Sequence, residues 1–146
     1  VTVMKAIQVR QTGGPEAMEL VDLPVPQPKT NEAVVKVTAA GVNFIDVYFR
    51  EGRYPSVTPF VLGQEGAGVV NAVGSGVTTV KNGDRVAWTG LMGSYAEYAA
   101  VPADRLVPIP DGALSCARYV STEARRSDFS ACRGWRRGPA AGADGA

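Results

Sequence analysis

Apolar Val35, Val37 and Ala39 alternate with Lys36 and Thr38. That period of two sends successive side chains to opposite faces of an extended chain and predicts a half-buried β-strand. Residues 5–10, 18–22, 69–73, 85–88, 95–101 and 105–109 read as further short strands. Turns punctuate them at Gly13-Gly14-Pro15, Gly74-Ser75-Gly76 and Asn82-Gly83-Asp84. Pro24, Pro26 and Pro28 predict an extended, unpaired connector, because proline brings no N–H to a ladder. The best helix candidate is 43–51, with Asn43 as N-cap, Asp46 in the first turn and Gly52 as the stop. Many short strands with close turns predict a mainly β fold, a barrel or sandwich and not a parallel sheet.

Composition narrows the class. At 146 residues with 45% hydrophobic and 20% charged positions, the chain has the make-up of a single globular domain. A net charge of +1 gives no attraction to nucleic acid or to a membrane surface. No apolar run approaches membrane-spanning length and the N-terminus has no signal-peptide character, so a cytoplasmic location is expected. Histidine is absent, which removes the commonest metal ligand and the usual near-neutral general base. Cys116 and Cys132 both fall near the end, so the body carries no disulfide framework.

The charge is unevenly spread. Residues 1–112 hold four Lys and five Arg against eleven acids, a net of −2, whereas 113–146 hold six Arg against three acids, a net of +3. The second segment is rich in Ala, Arg and Gly, and its few large apolar residues (Leu114, Tyr119, Val120, Phe129, Trp135) keep no helical or strand period. It is expected to be a disordered or non-native tail, with a basic arm for an acidic partner as the functional alternative.

Two segments carry the candidate chemistry. The first is Asn43-Phe44-Ile45-Asp46-Val47-Tyr48, continuing through Arg53-Tyr54-Pro55. Asn43 and Asp46, three apart, face one side of a helical turn. On spacing alone this is equally a capped helix whose tyrosines pack. The second is Leu62-Gly63-Gln64-Glu65-Gly66-Ala67-Gly68. Gln64 could bond a ligand or be satisfied by backbone, and Glu65 could pair with a nearby Arg. The glycines are expected to serve backbone conformation and close strand packing. Gly66-Ala67-Gly68 is followed by Asn71, and Gly74-Ser75-Gly76 by Thr79, where a dinucleotide fingerprint needs a third glycine opening a helix.

Together the two segments resemble the metal-site regions of the medium-chain dehydrogenase/reductases, with Asn43 where zinc alcohol dehydrogenases have a cysteine and Gln64 where they have a histidine. No four-cysteine lobe follows Gly83-Asp84-Arg85-Val86, and the chain runs on to Gly93-Ser94-Tyr95-Ala96-Glu97-Tyr98. The resemblance is to the zinc-free quinone oxidoreductases related to zeta-crystallin, and it covers about residues 4–112. It implies a GroES-like, partly open barrel with one or two short helices, occupying 1–112 and followed by the unrelated tail 113–146. It also implies NADPH-dependent hydride transfer to a quinone or other conjugated carbonyl, with an enoyl reductase as the nearest relative in chemistry. Asn43, Asp46 and Gln64 would then contact the cofactor, Tyr48 and Tyr54 would line the quinone site, and no zinc would be bound. Full-length members are expected to be homo-oligomers. The Gly-rich phosphate loop of the family's cofactor domain is absent, so this chain is expected to be truncated. A silent homologue or interaction module is the alternative. Asp84 and Arg85 are expected to be an exposed turn pair.

Overall fold

The computed structural model describes residues 2–110. The expectations for 113–146, including Cys116 and Cys132, lie outside the described residues. Eight strands and one short α-helix are seen: β1 (Val3–Val9), β2 (Met18–Pro24), β3 (Glu32–Gly41), α1 (Phe44–Arg50), β4 (Phe60–Val61), β5 (Glu65–Val73), β6 (Arg85–Thr89), β7 (Tyr98–Pro102) and β8 (Val107–Pro108). Short 3-10 turns occupy Pro15–Ala17 and Ala103–Arg105.

The strands form two antiparallel sheets, β2-β1-β4 and β7-β3-β5-β6-β8. Residues 95–97 join them. Ile7 N–H donates to the Tyr95 carbonyl at 2.8 Å and Glu97 N–H to the Lys5 carbonyl at 3.0 Å. On its other side Glu97 accepts from Val37 N–H at 2.9 Å. The sheets do not close among the described residues, and the result is the mainly β, partly open barrel that was expected.

The core forms because the inward positions of β3, β5, β6 and β7 are apolar. Val35, Val70, Val86, Trp88 and Val101 are buried together. Burial of each such side chain contributes about 1.5–3 kcal/mol. The alternation read over 35–39 holds, with Lys36 and Thr38 exposed between more buried neighbours, and it does not extend back to Ala33 and Val34, which are buried together with Val35. β3 is a central strand covered on both faces there, and its register shifts between Val34 and Val35.

Several boundaries differ from expectation, most by one or two residues, and the larger differences have physical reasons. The ladder of β1 and β2 includes Pro24, opposite Val3, and Val25 N–H still bonds the Thr2 carbonyl at 3.0 Å. β2 is an edge strand, where a missing N–H on the open side costs nothing, so the unpaired connector begins later than the prolines imply. β5 starts at Glu65, four residues before the apolar run, because glycine pairs in a ladder without carrying an apolar signal. β7 is shorter than 95–101, since 95–97 bridges the sheets. Within 105–109 only Val107–Pro108 pair as a strand.

The glycines of β5 make close packing possible. A Cβ on Gly66 would sit 2.5 Å from the Trp88 ring, and one on Gly68 would strike the Lys36 carbonyl oxygen of β3. Gly68→Ala must move backbone, whereas Gly66→Ala has only to displace a ring. Overpacking of this kind costs about 1–3 kcal/mol. Urea denaturation should show both variants destabilised, Gly68→Ala the more so; equal midpoints would show that β3 and β5 separate without strain.

Candidate functional site

Helix α1 is fixed at both ends by its own sequence. Asp46 Oδ2 accepts from Asn43 N–H at 2.9 Å, the Asp46 half of a capping box. At the other end Gly52 takes φ 78°, Gly52 N–H bonds the Phe49 carbonyl at 3.1 Å, and Arg53 N–H bonds the Tyr48 carbonyl at 2.9 Å. That pair of bonds is a Schellman stop, which the left-handed glycine permits. The expected N-cap and stop are both present.

The helix has two unlike faces. Asp46 and Arg50, one turn apart, are buried, with Asp46 only 3% exposed. Tyr95 donates its hydroxyl to the same Asp46 Oδ2 at 2.9 Å. Burial first, and then the Asp46 carboxylate, raise the Tyr95 phenol well above its ordinary range. Asp46 Oδ1 and Arg50 Nε are buried without a hydrogen-bond partner. The opposite face carries Phe44 and Tyr48, rings edge-on with centroids 5.5 Å apart. Tyr54 stands edge-on to Tyr48 at 5.7 Å and packs on Phe49 at 5.4 Å, while the Arg53 guanidinium lies over the Tyr48 ring at 5.4 Å. Phe44 is 74% exposed and Tyr54 45%, so this aromatic surface is open to a flat partner.

Of the five residues singled out in the sequence, Asn43 and Asp46 are brought together, and Tyr48 and Tyr54 are brought together. Tyr48 lies two residues beyond Asp46, about 200° around the helix, so the two pairs occupy different faces. Asp46 is turned into the fold. Gln64 is half-buried at the start of β5, and its side chain makes no hydrogen bond among the described residues. Its carbonyl accepts from Gly90 N–H at 2.8 Å.

Two partnerships escaped the sequence. Glu65, for which pairing with an arginine was one alternative, accepts through Oε2 from Asn43 Nδ2 at 2.8 Å. Tyr95 was not among the candidate site residues, and it is the residue that holds Asp46. No local spacing signals a contact between residues 49 positions apart. Asp84 Oδ2 caps Lys81 N–H at 2.9 Å, and Arg85 donates to the carbonyls of Ile109 and Pro110 at 3.2 and 2.7 Å. Both serve the fold.

Beside Glu65 opens a cavity of about 840 Å³, floored by Ala39, Ala67, Ala87 and Trp88, with Arg105 also lining it. No described helix is long and apolar enough to cross a membrane.

Residues 29–111 match the alcohol dehydrogenase GroES-like domain, and the chain belongs to that family, within the medium-chain dehydrogenase/reductase superfamily. The relatives it matches are quinone oxidoreductases. That of Pseudomonas aeruginosa is 48% identical over 110 residues, covering 74% of this chain and 34% of the relative. The human quinone oxidoreductase is 38% identical over 112 residues, again covering 74% and 34%. Among solved structures, a mycobacterial quinone oxidoreductase superposes with a TM-score of 0.71 at 48% identity, over 74% of this chain and 34% of that one. The Escherichia coli quinone oxidoreductase complexed with NADPH gives 0.71 at 39% identity over the same shares. The chain spans about a third of the length of the relatives it matches.

Tyr95→Phe should cost about 1–3 kcal/mol, because Asp46 would keep one hydrogen bond in a buried setting. Tyr95 gives stability that is full below the ordinary phenol value of 10.0 and lost as pH rises above it, since its folded value is raised. Ultraviolet titration should show one tyrosine ionising above the others, and Tyr95→Phe should remove it. Retention of the late-titrating group in that variant would assign it elsewhere.

Proposed function

We propose that this chain is the GroES-like part of an NADPH-dependent quinone oxidoreductase, reducing a quinone or a similar conjugated carbonyl without zinc. The observation that carries the reading is the 48% identity to a quinone oxidoreductase over 110 residues, which include both candidate segments. Relatives solved with NADPH support the choice of cofactor.

The residues present fit the nicotinamide end of that cofactor. Gln64 has an unpartnered carboxamide, and Asn43 spends one of its two amide N–H groups on Glu65. Amide donors and acceptors suit a ligand that itself carries a carboxamide. They suit zinc poorly, since zinc sites take thiolate, imidazole or carboxylate. When bound, NADPH supplies the hydride. Asn43 and Gln64 would hold its carboxamide, and Asp46 fixes the backbone of Asn43 by accepting from its N–H. Tyr48 and Tyr54 give the acceptor an aromatic wall, with the edge-on pair and Arg53 setting the ring planes. The protein's share of catalysis is orientation of two flat reactants and exclusion of water. Reduction of a quinone would take the hydride from the cofactor and one proton from solvent, which balances to the hydroquinone and the oxidised cofactor. In this reading the substrate is a small molecule, the location is cytoplasmic, and neither nucleic acid nor membrane is needed.

The test is a graft. Residues 2–110 replace the aligned segment of the Pseudomonas aeruginosa quinone oxidoreductase, and NADPH oxidation is followed with several small quinones and with an enoyl thioester. Turnover of quinones is expected. A folded graft that binds NADPH and reduces neither class would overturn the reading, and preference for the thioester would make it an enoyl reductase. In the graft, Tyr48→Ala or Tyr54→Ala should raise the quinone KM about fivefold, the equivalent of about 1 kcal/mol of lost ring contact. Unchanged KM in both variants would assign the rings to packing.

The isolated 146-residue chain should not turn over. Near-attack geometry supplies roughly 7–11 kcal/mol of barrier reduction, and the described residues supply one wall of a cleft. Saturable NADPH oxidation by the chain alone would contradict this.

A further inference from the structure

We infer that Glu65 is a positioning residue that fixes the rotation of the Asn43 carboxamide, so that Asn43 meets its ligand as a hydrogen-bond donor. The inference rests on the reading that Asn43 faces the cofactor or acceptor, and it gives Glu65 a defined task beside it.

An asparagine side chain has an acceptor end and a donor end of nearly equal size, and which end faces a ligand is decided by its other contacts. One contact of the Asn43 carboxamide decides it here, since the Asp46 N–H bonds the Asn43 main-chain carbonyl at 3.0 Å and not the side chain. Asn43 Nδ2 donates to Glu65 Oε2 at 2.8 Å, a charge-assisted bond that a flipped carboxamide would replace with oxygen against oxygen. The bond uses one N–H of Nδ2. The second has no acceptor among the described residues. The ligand atom this selects is an acceptor, such as a carbonyl oxygen.

The position of Glu65 is itself built. Glu65 pairs with Gly41 across β3 and β5, and a Cβ on Gly41 would lie 2.5 Å from the Glu65 Cδ and 2.6 Å from Oε2. The carboxylate therefore lies flat over a glycine two residues before Asn43. Gly41 does not adopt a positive φ, so the steric gap, not backbone freedom, is what the glycine provides there. Glu65 also borders the large cavity, so the Asn43–Glu65 pair stands at its edge.

The experiment is nuclear magnetic resonance of the ligand-free 146-residue chain, read at the Asn43 side-chain amide protons. In the native chain one of the two should be displaced downfield, slow to exchange, and close to the Glu65 side chain by cross-relaxation. Glu65→Ala should abolish the displacement. Glu65→Gln should largely restore it, because the glutamine oxygen can accept the same bond. Gly41→Ala should abolish it while leaving both partners chemically intact, since the new methyl must push Glu65 aside. Core methyl and Tyr95 hydroxyl signals report that each variant is folded. The inference is overturned if the Asn43 signals are the same in Glu65→Ala or Gly41→Ala as in the native chain. It is equally overturned if Glu65→Gln behaves like Glu65→Ala, which would trace the effect to packing or charge. No cofactor or turnover enters the readout, so failure of the graft to reduce quinones would not touch this result, nor would its failure touch the graft.

Discussion

One carboxylate oxygen ties the site to the scaffold. Asp46 Oδ2 accepts both from Asn43 N–H, which starts the helix, and from the Tyr95 hydroxyl, which belongs to the strip joining the two sheets. Buried carboxylates survive only when hydrogen-bonded, so the two donors are what allow Asp46 to sit inside the fold. The direction of control then runs outward. The sheets hold residues 95–97, Tyr95 holds Asp46, Asp46 holds the backbone of Asn43, and Asn43 with Glu65 presents the polar edge of the site.

The same arrangement explains how a helix of seven residues keeps its place. So short a helix has too few internal hydrogen bonds to persist alone. Here the capping bond at one end, the Schellman stop at Gly52 and the buried Asp46–Arg50 face substitute for length. The face left over carries Phe44, 74% exposed, beside a half-buried Tyr48.

Local chemistry was legible in the sequence, and long-range chemistry was not. The period of two found β3, the cap and stop found α1, and the failure of G-x-G-x-x-G to open a helix kept the glycines of β5 from being read as a phosphate loop. Each of those inferences depends on neighbours within a few residues. The start of β5 at Glu65 was missed because its glycines have no side chain to show a period, although they pair normally with β3 and β6. β4, two residues long, is too short to have a period. The partners of Asp46 and Glu65 lie 49 and 22 residues away. They follow from strand register, which the sequence does not display.

That division bears on how an amide can stand where relatives with zinc use a ligand. Replacing a thiolate and an imidazole by Asn43 and Gln64 removes the charge that a cation would balance, and it leaves groups that must be aimed by hydrogen bonds alone. A metal ion orients its ligands by coordination; an amide has no such constraint and can turn end for end at little cost in shape. The fold therefore needs a second group to choose the end. Glu65 beside Asn43, lying over the bare Cα of Gly41, fills that role with a single charge-assisted bond. Gln64 has no such neighbour among the described residues, so its carboxamide is left to turn toward whichever end of a ligand it meets. In the proposed reading the two amides are thus unequal: one has its polarity set by the protein, and the other would take its polarity from what it binds.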